Sequence, residues 1–322
     1  MIEYIISSIA ISAVFLYGSV GEIITEKAGH LNLGIPGIMC MGAAGGYFGA
    51  TLYVSIFGTS NPITILLLLF ALIFSAIFSI FAGLIYSFLT VTLRANQNVT
   101  GLALTTFGSG FAQYFVNAVK IDGMRKILKA INDPFIISSA NNNSLLNLFF
   151  SYSILVYLAI IVAIAVSLVL NKTKVGLNLR SIGESPATAD AVGINVAKYK
   201  HLAVLIGSVI AGIGGFSYIC YIGRFDTSAS IEMFGWLSVA LVIFAMWKPT
   251  LSIIGSIIFG FLYLAQTKLI LIIPTISTQL AQLTSLLPYI ITILVLVITS
   301  ITGSKENQPP ASLGINYFRE ER

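Results

Sequence analysis

Charged side chains are scarce in this chain. They make up 9% of its 322 residues, against about 25% in a soluble domain. That shortage excludes a water-facing surface over most of the molecule. Cysteine is limited to Cys40 and Cys220, far apart in apolar segments. They give no metal-ligand spacing and no disulfide framework. The two histidines, His30 and His201, fall at the edges of apolar segments and form no ligand set with the cysteines. No metal is expected.

Motifs that would make the chain an enzyme are missing too. No G-x-x-x-x-G-K-[ST] phosphate loop occurs; Gly303-Ser304-Lys305 lacks the frame. No serine–histidine pair stands out, so no catalytic residue is assigned. Glu22 stands alone near a membrane edge, which gives no carboxylate pair for a proton relay. No repeated carbonyl-type filter or acidic ring argues for an ion channel. No cofactor is expected, and any ATP hydrolysis must come from another subunit.

Apolar residues are plentiful: 57% of the chain, with mean hydropathy +0.95. This is the composition of an all-α, polytopic membrane protein surrounded by membrane lipid. A span needs about 20 apolar residues. Nine segments qualify, within a range of eight to ten: Tyr4–Ile24, Ile35–Phe57, Ile63–Leu93, Val99–Val119, Ser153–Leu170, Leu202–Ile222, Ile231–Met246, Leu251–Leu271 and Leu283–Ile301. The third is long enough to tilt strongly or project, and the seventh is short. The first has no basic leader and no small-residue cleavage site, so it reads as a retained span. Residues 1–302 form a single transmembrane domain, and 303–322 a cytoplasmic tail.

The net charge of +5 is spread over short loops and does not suggest nucleic-acid binding. It serves better as an orientation signal. With Leu177–Gly193 inside, eleven Lys and Arg lie inside and six outside. This puts the N-terminus out and the C-terminus in the cytoplasm. Four of the six fall in one long outer loop, Lys120–Tyr152, which also carries Asp133-Pro134 and the Asn141–Asn143 tract.

The longest ordered polar interruption is Leu177–Gly193, LNLRSIGESPATADAVG. Ser185 reads as a helix N-cap and Pro186 as the first helical position. Ala187, Ala189 and Ala191 favour helix, and Gly193 suits a left-handed stop. Lys172, Lys174 and Arg180 precede this helix, and Lys198 and Lys200 follow it. An exposed, capped, alanine-rich helix fits a docking element for a soluble partner. An ordinary helical loop between two spans is the alternative.

Three other features bear on function. Gly42/Gly46 and Gly45/Gly49 place small residues four apart, which lets helices approach closely, either for packing or for sliding. Thr106, Gln113 and Asn117 recur near the helical period inside the fourth span. They line a translocation pathway or hydrogen-bond between helices. Phe216, Tyr218 and Trp236 are aromatics that border such a pathway, or anchor and pack.

At GEIITEKAGHLNLGIPGIMCMGA (21–43), ANQNVTGLALT (95–105) and VGLNLRSIGESPATADAVGIN (175–195) the chain resembles a known family. Further matches are FAMWKPTLSIIGSIIFG (244–260), LTSLLPYIITILVLV (283–297) and PPASLGINYFRE (309–320). The family is the permease subunits of bacterial ABC importers for ribose, branched-chain amino acids and nucleosides. The likeness is greatest to the shorter nucleoside permease. It implies a type II importer-like helical bundle in the bacterial plasma membrane. The capped helix, at about 180–195, would be the coupling helix. Arg180, Glu184, Ser185, Ala187, Asp190 and Gly193 would serve contact with a separate ATP-binding cassette ATPase. The family also implies a second, different permease and an extracytoplasmic substrate-binding lipoprotein that delivers nucleoside. Import of a sugar or a branched-chain amino acid is the nearer alternative. A stand-alone secondary transporter or channel is the alternative from another class.

Overall fold

The computed structural model describes residues 2–58, 62–133, 147–272, 283, 286–302 and 308–318. The Asn141–Asn143 tract and the orientation residues Lys305, Arg319 and Arg322 lie outside them. The described residues are helical throughout, with no strand. The helices are α1 (Ile2–Lys27), α2 (Ile35–Phe57), α3 (Thr64–Ser87, closed by a π turn Phe88–Thr92), α4 (Gln97–Ala118), α5 (Met124–Asn132) and α6 (Asn147–Phe150). They continue as α7 (Ile154–Lys172), α8 (Lys174–Glu184), α9 (Pro186–Ala191), α10 (Val196–Ile222), α11 (Ser228–Phe244), α12 (Pro249–Ile272) and α13 (Leu287–Thr302).

Each of the nine predicted segments corresponds to one long helix. Five of these are long and apolar enough to cross a membrane: Ile2–Lys27, Ile35–Phe57, Thr64–Thr92, Ile154–Lys172 and Val196–Ile222. Three more are shorter apolar helices, Ser228–Phe244 among them. The low apolarity of α4 comes from the same polar residues that marked it for the pathway.

Burial separates interior helices from peripheral ones. The apolar window of α2 is 72% buried, and that of α3 is 33% buried. So α1, α2 and α10 form the centre, and α3 and α7 lie outside it. Glycine makes the centre tight. A Cβ on Gly42 would collide with the backbone of Gly212, and one on Gly21 with the carbonyl of Gly207. Gly46 abuts the Phe216 ring, whereas Gly45 and Gly49 abut the α3 backbone. The two glycine pairs on α2 thus face different neighbours, and close packing is their role here. On α3, Ile65, Leu69, Ile73, Ile77, Phe81 and Leu84 are exposed along one stripe, while Ser75, Ser79 and Ala82 face inward. In a bilayer this stripe needs no water-facing polarity.

Polar loops gather at one end of the bundle. Lys27, Arg180, Glu184, Lys248 and Pro310 surround one cavity there. Lys129 packs against Gly223 elsewhere, joining the loops read as outer.

Candidate functional site

The polar stretch folds as two short helices rather than one. α8 starts at Thr173, whose hydroxyl accepts from the Gly176 N–H at 3.1 Å. It ends at Ser185, which turns the chain and caps α9. The Ser185 hydroxyl accepts from the Thr188 N–H at 3.4 Å, and Pro186 occupies the first turn. Gly193 stops α9 with φ +87°. The Ile194 N–H reaches back to Ala189 O at 3.0 Å, a six-residue closure that needs the left-handed residue. The expected cap and stop are both present.

The side chains of this stretch divide between two directions. Glu184, Ala187, Thr188, Ala191 and Val192 are exposed. Val192 is 72% exposed and so presents an apolar tip. Ala189 is buried, and Asp190 accepts from the Tyr317 hydroxyl at 2.9 Å. Arg180 is half-buried and lines a cavity with Lys27, Glu184 and Lys248. Thr188 and Val192 are exposed beside Ala187, and nothing in their residue types marked them in the sequence.

The segment 308–318 folds back onto this face. Ser312 donates its N–H to Gly183 O at 2.9 Å and its hydroxyl to the same oxygen at 2.6 Å. Asn316 donates to Arg94 O at 2.7 Å and accepts from the Gln97 amide at 3.0 Å. Arg94, held at φ 57°, lies 4.9 Å over the Phe318 ring. Gln97 in turn accepts from the Leu31 N–H at 2.8 Å, and Tyr86 donates to Leu31 O at 2.6 Å. One hydrogen-bonded path therefore joins α8, the C-terminal segment, the start of α4 and the α1–α2 loop.

Beneath that loop lies a buried polar knot. Glu22 is not alone, as the sequence suggested: Glu26, one helical turn on, is buried beside it. Glu22 accepts from the Asn32 N–H at 2.8 Å, and Glu26 accepts from the Trp247 indole. Trp247 reaches Glu26 from a left-handed turn, where both Met246 and Trp247 have positive φ. Buried carboxyls without such donors would cost several kcal/mol each, roughly. The His30 ring is 1% exposed and meets Thr90 Oγ1 at 3.1 Å. Burial, with Lys200 and His201 nearby, holds its imidazole well below the usual histidine range.

Residues read as pathway-lining are placed in two groups. On α4, Thr106 and Asn117 are exposed and Gln113 is half-buried, on one stripe with Ser109. Gln113 accepts from the Ser228 N–H at 2.9 Å, and Ser109 donates to the Ser228 hydroxyl at 3.1 Å. The middle of this polar stripe thus meets the first turn of α11, and its two ends are exposed. Phe216 is fully buried against Gly46, and the Tyr218 ring packs at a tilt against Phe234, centroids 4.6 Å apart. Both are core residues in this arrangement. Trp236 is half-buried. The two aromatics on α10 do not join the α4 stripe.

The capped pair α8 and α9 thus lies at one end of a bundle of apolar helices. Residues 4–296 match the family described as branched-chain amino acid transport system / permease component. The chain belongs to this family. As a member of this permease family it is a transport component, and its apolar helices make it a multi-pass membrane protein. It is similar to the nucleoside ABC transporter permease protein NupC of Lactococcus lactis, 32% identical over 96% of this chain and 95% of the relative. It is also similar to the guanosine ABC transporter permease protein NupQ of Bacillus subtilis, 30% identical over 98% of each. A putative glucose ABC transporter permease protein, TsgC13 of Haloferax volcanii, is 29% identical over 98% of this chain and 97% of the relative. No solved structure matches the chain. Among the described residues no cluster of three or more His, Cys, Asp or Glu could hold a metal ion.

Proposed function

We propose that the chain is a permease subunit of an ATP-driven importer of nucleosides. The observation that carries this reading is near end-to-end likeness to two permeases, one named for nucleosides and one for guanosine. The docking face supports coupling to a separate ATPase. Glu184, Ala187, Thr188 and Val192 form the contact surface, while Ser185 and Gly193 fix its ends. Arg180 borders the contact surface beside Glu184, and Asp190 locks α9 to the C-terminal segment. A second, different permease covers the exposed polar stripe of α4, so that Thr106, Gln113 and Asn117 line a path between the two subunits. Polar side chains at membrane depth belong against such an interface or cavity. Phe216 and Tyr218 act behind that path as packing, and Trp236 borders it. An extracytoplasmic binding lipoprotein delivers substrate. The docking end faces the cytoplasm, and the C-terminus with it, because the cation-rich loops gather there.

A glucose-named relative at similar identity favours sugar import as the second reading. Competition separates the two. Cells expressing the full transporter take up labelled nucleoside, and excess unlabelled nucleoside suppresses uptake while excess glucose does not. Suppression by glucose alone assigns the chain to sugars. Uptake by the purified chain in liposomes without ATP or an ATPase contradicts the importer reading altogether.

A further inference from the structure

A cavity of about 390 Å³ lies between the end of α9, the first turn of α10, the π turn and the C-terminal segment. His30, Arg94, Asp190, Asn195, Lys200 and Tyr317 are among its lining residues. Lys200 is 3% exposed, and its ammonium makes no hydrogen bond or ion pair among the described residues. A largely buried cation without a counter-charge is disfavoured, so an anion that enters the cavity gains by pairing with it. Asp190, the one carboxylate among those lining residues, already accepts from Tyr317.

Two further donors converge on the same space. α10 is 27 residues long, and its N-cap Asn195 satisfies only the Lys198 N–H, at 2.9 Å. Val196 and Ala197, which line the cavity, keep first-turn N–H groups with no intrahelical acceptor. Aligned peptide dipoles add positive potential at that end. His30 also borders the cavity. Thr90 spends its hydroxyl proton on Tyr86 O at 2.8 Å, so the Thr90 oxygen accepts from His30 Nε2–H. His30 Nδ1 is then a bare acceptor, buried and without a partner.

We propose that this cavity binds a phosphate-bearing anion. Its ionised oxygens take the Lys200 ammonium and the free N–H groups of α10. A carboxylate offers fewer ionised oxygens. The cavity is also much larger than a carboxylate needs, leaving room for the body that carries the phosphate. That body is either a soluble compound or a lipid headgroup, since the cavity lies where α10 enters the membrane.

The test uses the full chain in a maltoside detergent, which carries no phosphate. Thermal unfolding is followed with inorganic phosphate, with adenosine monophosphate, and with phosphatidylglycerol doped into the micelles, at constant ionic strength. A saturable rise in unfolding temperature is expected, with no rise for chloride. A rise with the two soluble phosphates assigns a soluble ligand, and a rise with phosphatidylglycerol alone assigns a headgroup; either supports the site. Lys200→Met should unfold at a higher temperature than wild type without ligand and lose the response. Val196→Pro, which removes one first-turn N–H at a position suited to proline, should raise the half-saturating phosphate concentration several-fold. No rise with any of the three probes overturns the proposal. So does an unaltered response in both variants, or a rise seen only when the partner ATPase is added.

Discussion

The Tyr317 hydroxyl donates to the Asp190 carboxylate at 2.9 Å, across 127 positions of sequence. That bond ties the C-terminal segment to the last turn of α9. Together with Ser312 on Gly183, it makes that segment a strap along the inner side of α8 and α9. Removing the bond tests whether the strap matters. Tyr317→Phe should cost about 1–2 kcal/mol, the range for a partly exposed hydrogen bond to a charged group. Asp190 keeps another contact, so α9 should stay folded. Thermal unfolding of the full chain should show the loss, and uptake should fall while membrane levels hold. An unchanged unfolding temperature would remove the strap from the account.

The ends of α9 give a second prediction. Ser185→Ala removes the cap and should cost about 0.5–2 kcal/mol of local helix stability. At Gly193 there is open space for a Cβ, and only the positive φ opposes one. Gly193→Val should therefore act through backbone strain, about 1 kcal/mol or more. Hydrogen exchange at residues 186–194 reads both. Faster exchange confined to α9 is expected in each variant, and a change spread over α10 would mean the helix is not an independent unit.

A third prediction concerns α4. Thr106→Ala and Asn117→Ala leave no buried partner unsatisfied, because both residues are exposed. They should slow uptake with subunit assembly and ATP hydrolysis intact. Gln113→Ala differs, since it strips the Ser228 N–H of its acceptor. It should also destabilise the chain, by about 1–3 kcal/mol. Loss of assembly in the first two variants would assign the stripe to subunit contact and not to passage.

His30 gives a prediction in pH. Its folded value is depressed by burial and nearby cations. Below about pH 6.5, where a free histidine charges, the unfolded chain binds a proton that the folded chain refuses. Stability from this site is thus present at higher pH and declines as pH falls. His30→Gln should flatten the acid side of the unfolding-temperature profile. An identical profile in the variant would show that His30 titrates freely.

Local signals carried the cap and the stop of α9. Ser185-Pro186 at its start and Gly193 at its end act within a few residues, and the structure keeps each. The nine long helices were likewise visible, because apolar length is a local property. Long-range partners were not. Ser312, Asn316 and Tyr317 are unremarkable polar residues whose bonds span more than 120 positions. The Glu22–Glu26 spacing was readable as one helical turn, yet α1 continues to Lys27, past the apolar run that suggested its end. Phe216 was read as a pathway residue, and its burial depends on a missing side chain at Gly46 on another helix.

The central claim is that the exposed face of α9 passes force from a separate ATPase to the permease. Ala187 is exposed on that face, so a tryptophan there should not disturb the fold but should block close approach. The decisive measurement is ATP-dependent nucleoside uptake by the complete reconstituted transporter carrying Ala187→Trp, at matched membrane levels and with the binding lipoprotein still loading substrate. The account predicts that uptake is abolished. Uptake at the wild-type rate would contradict it.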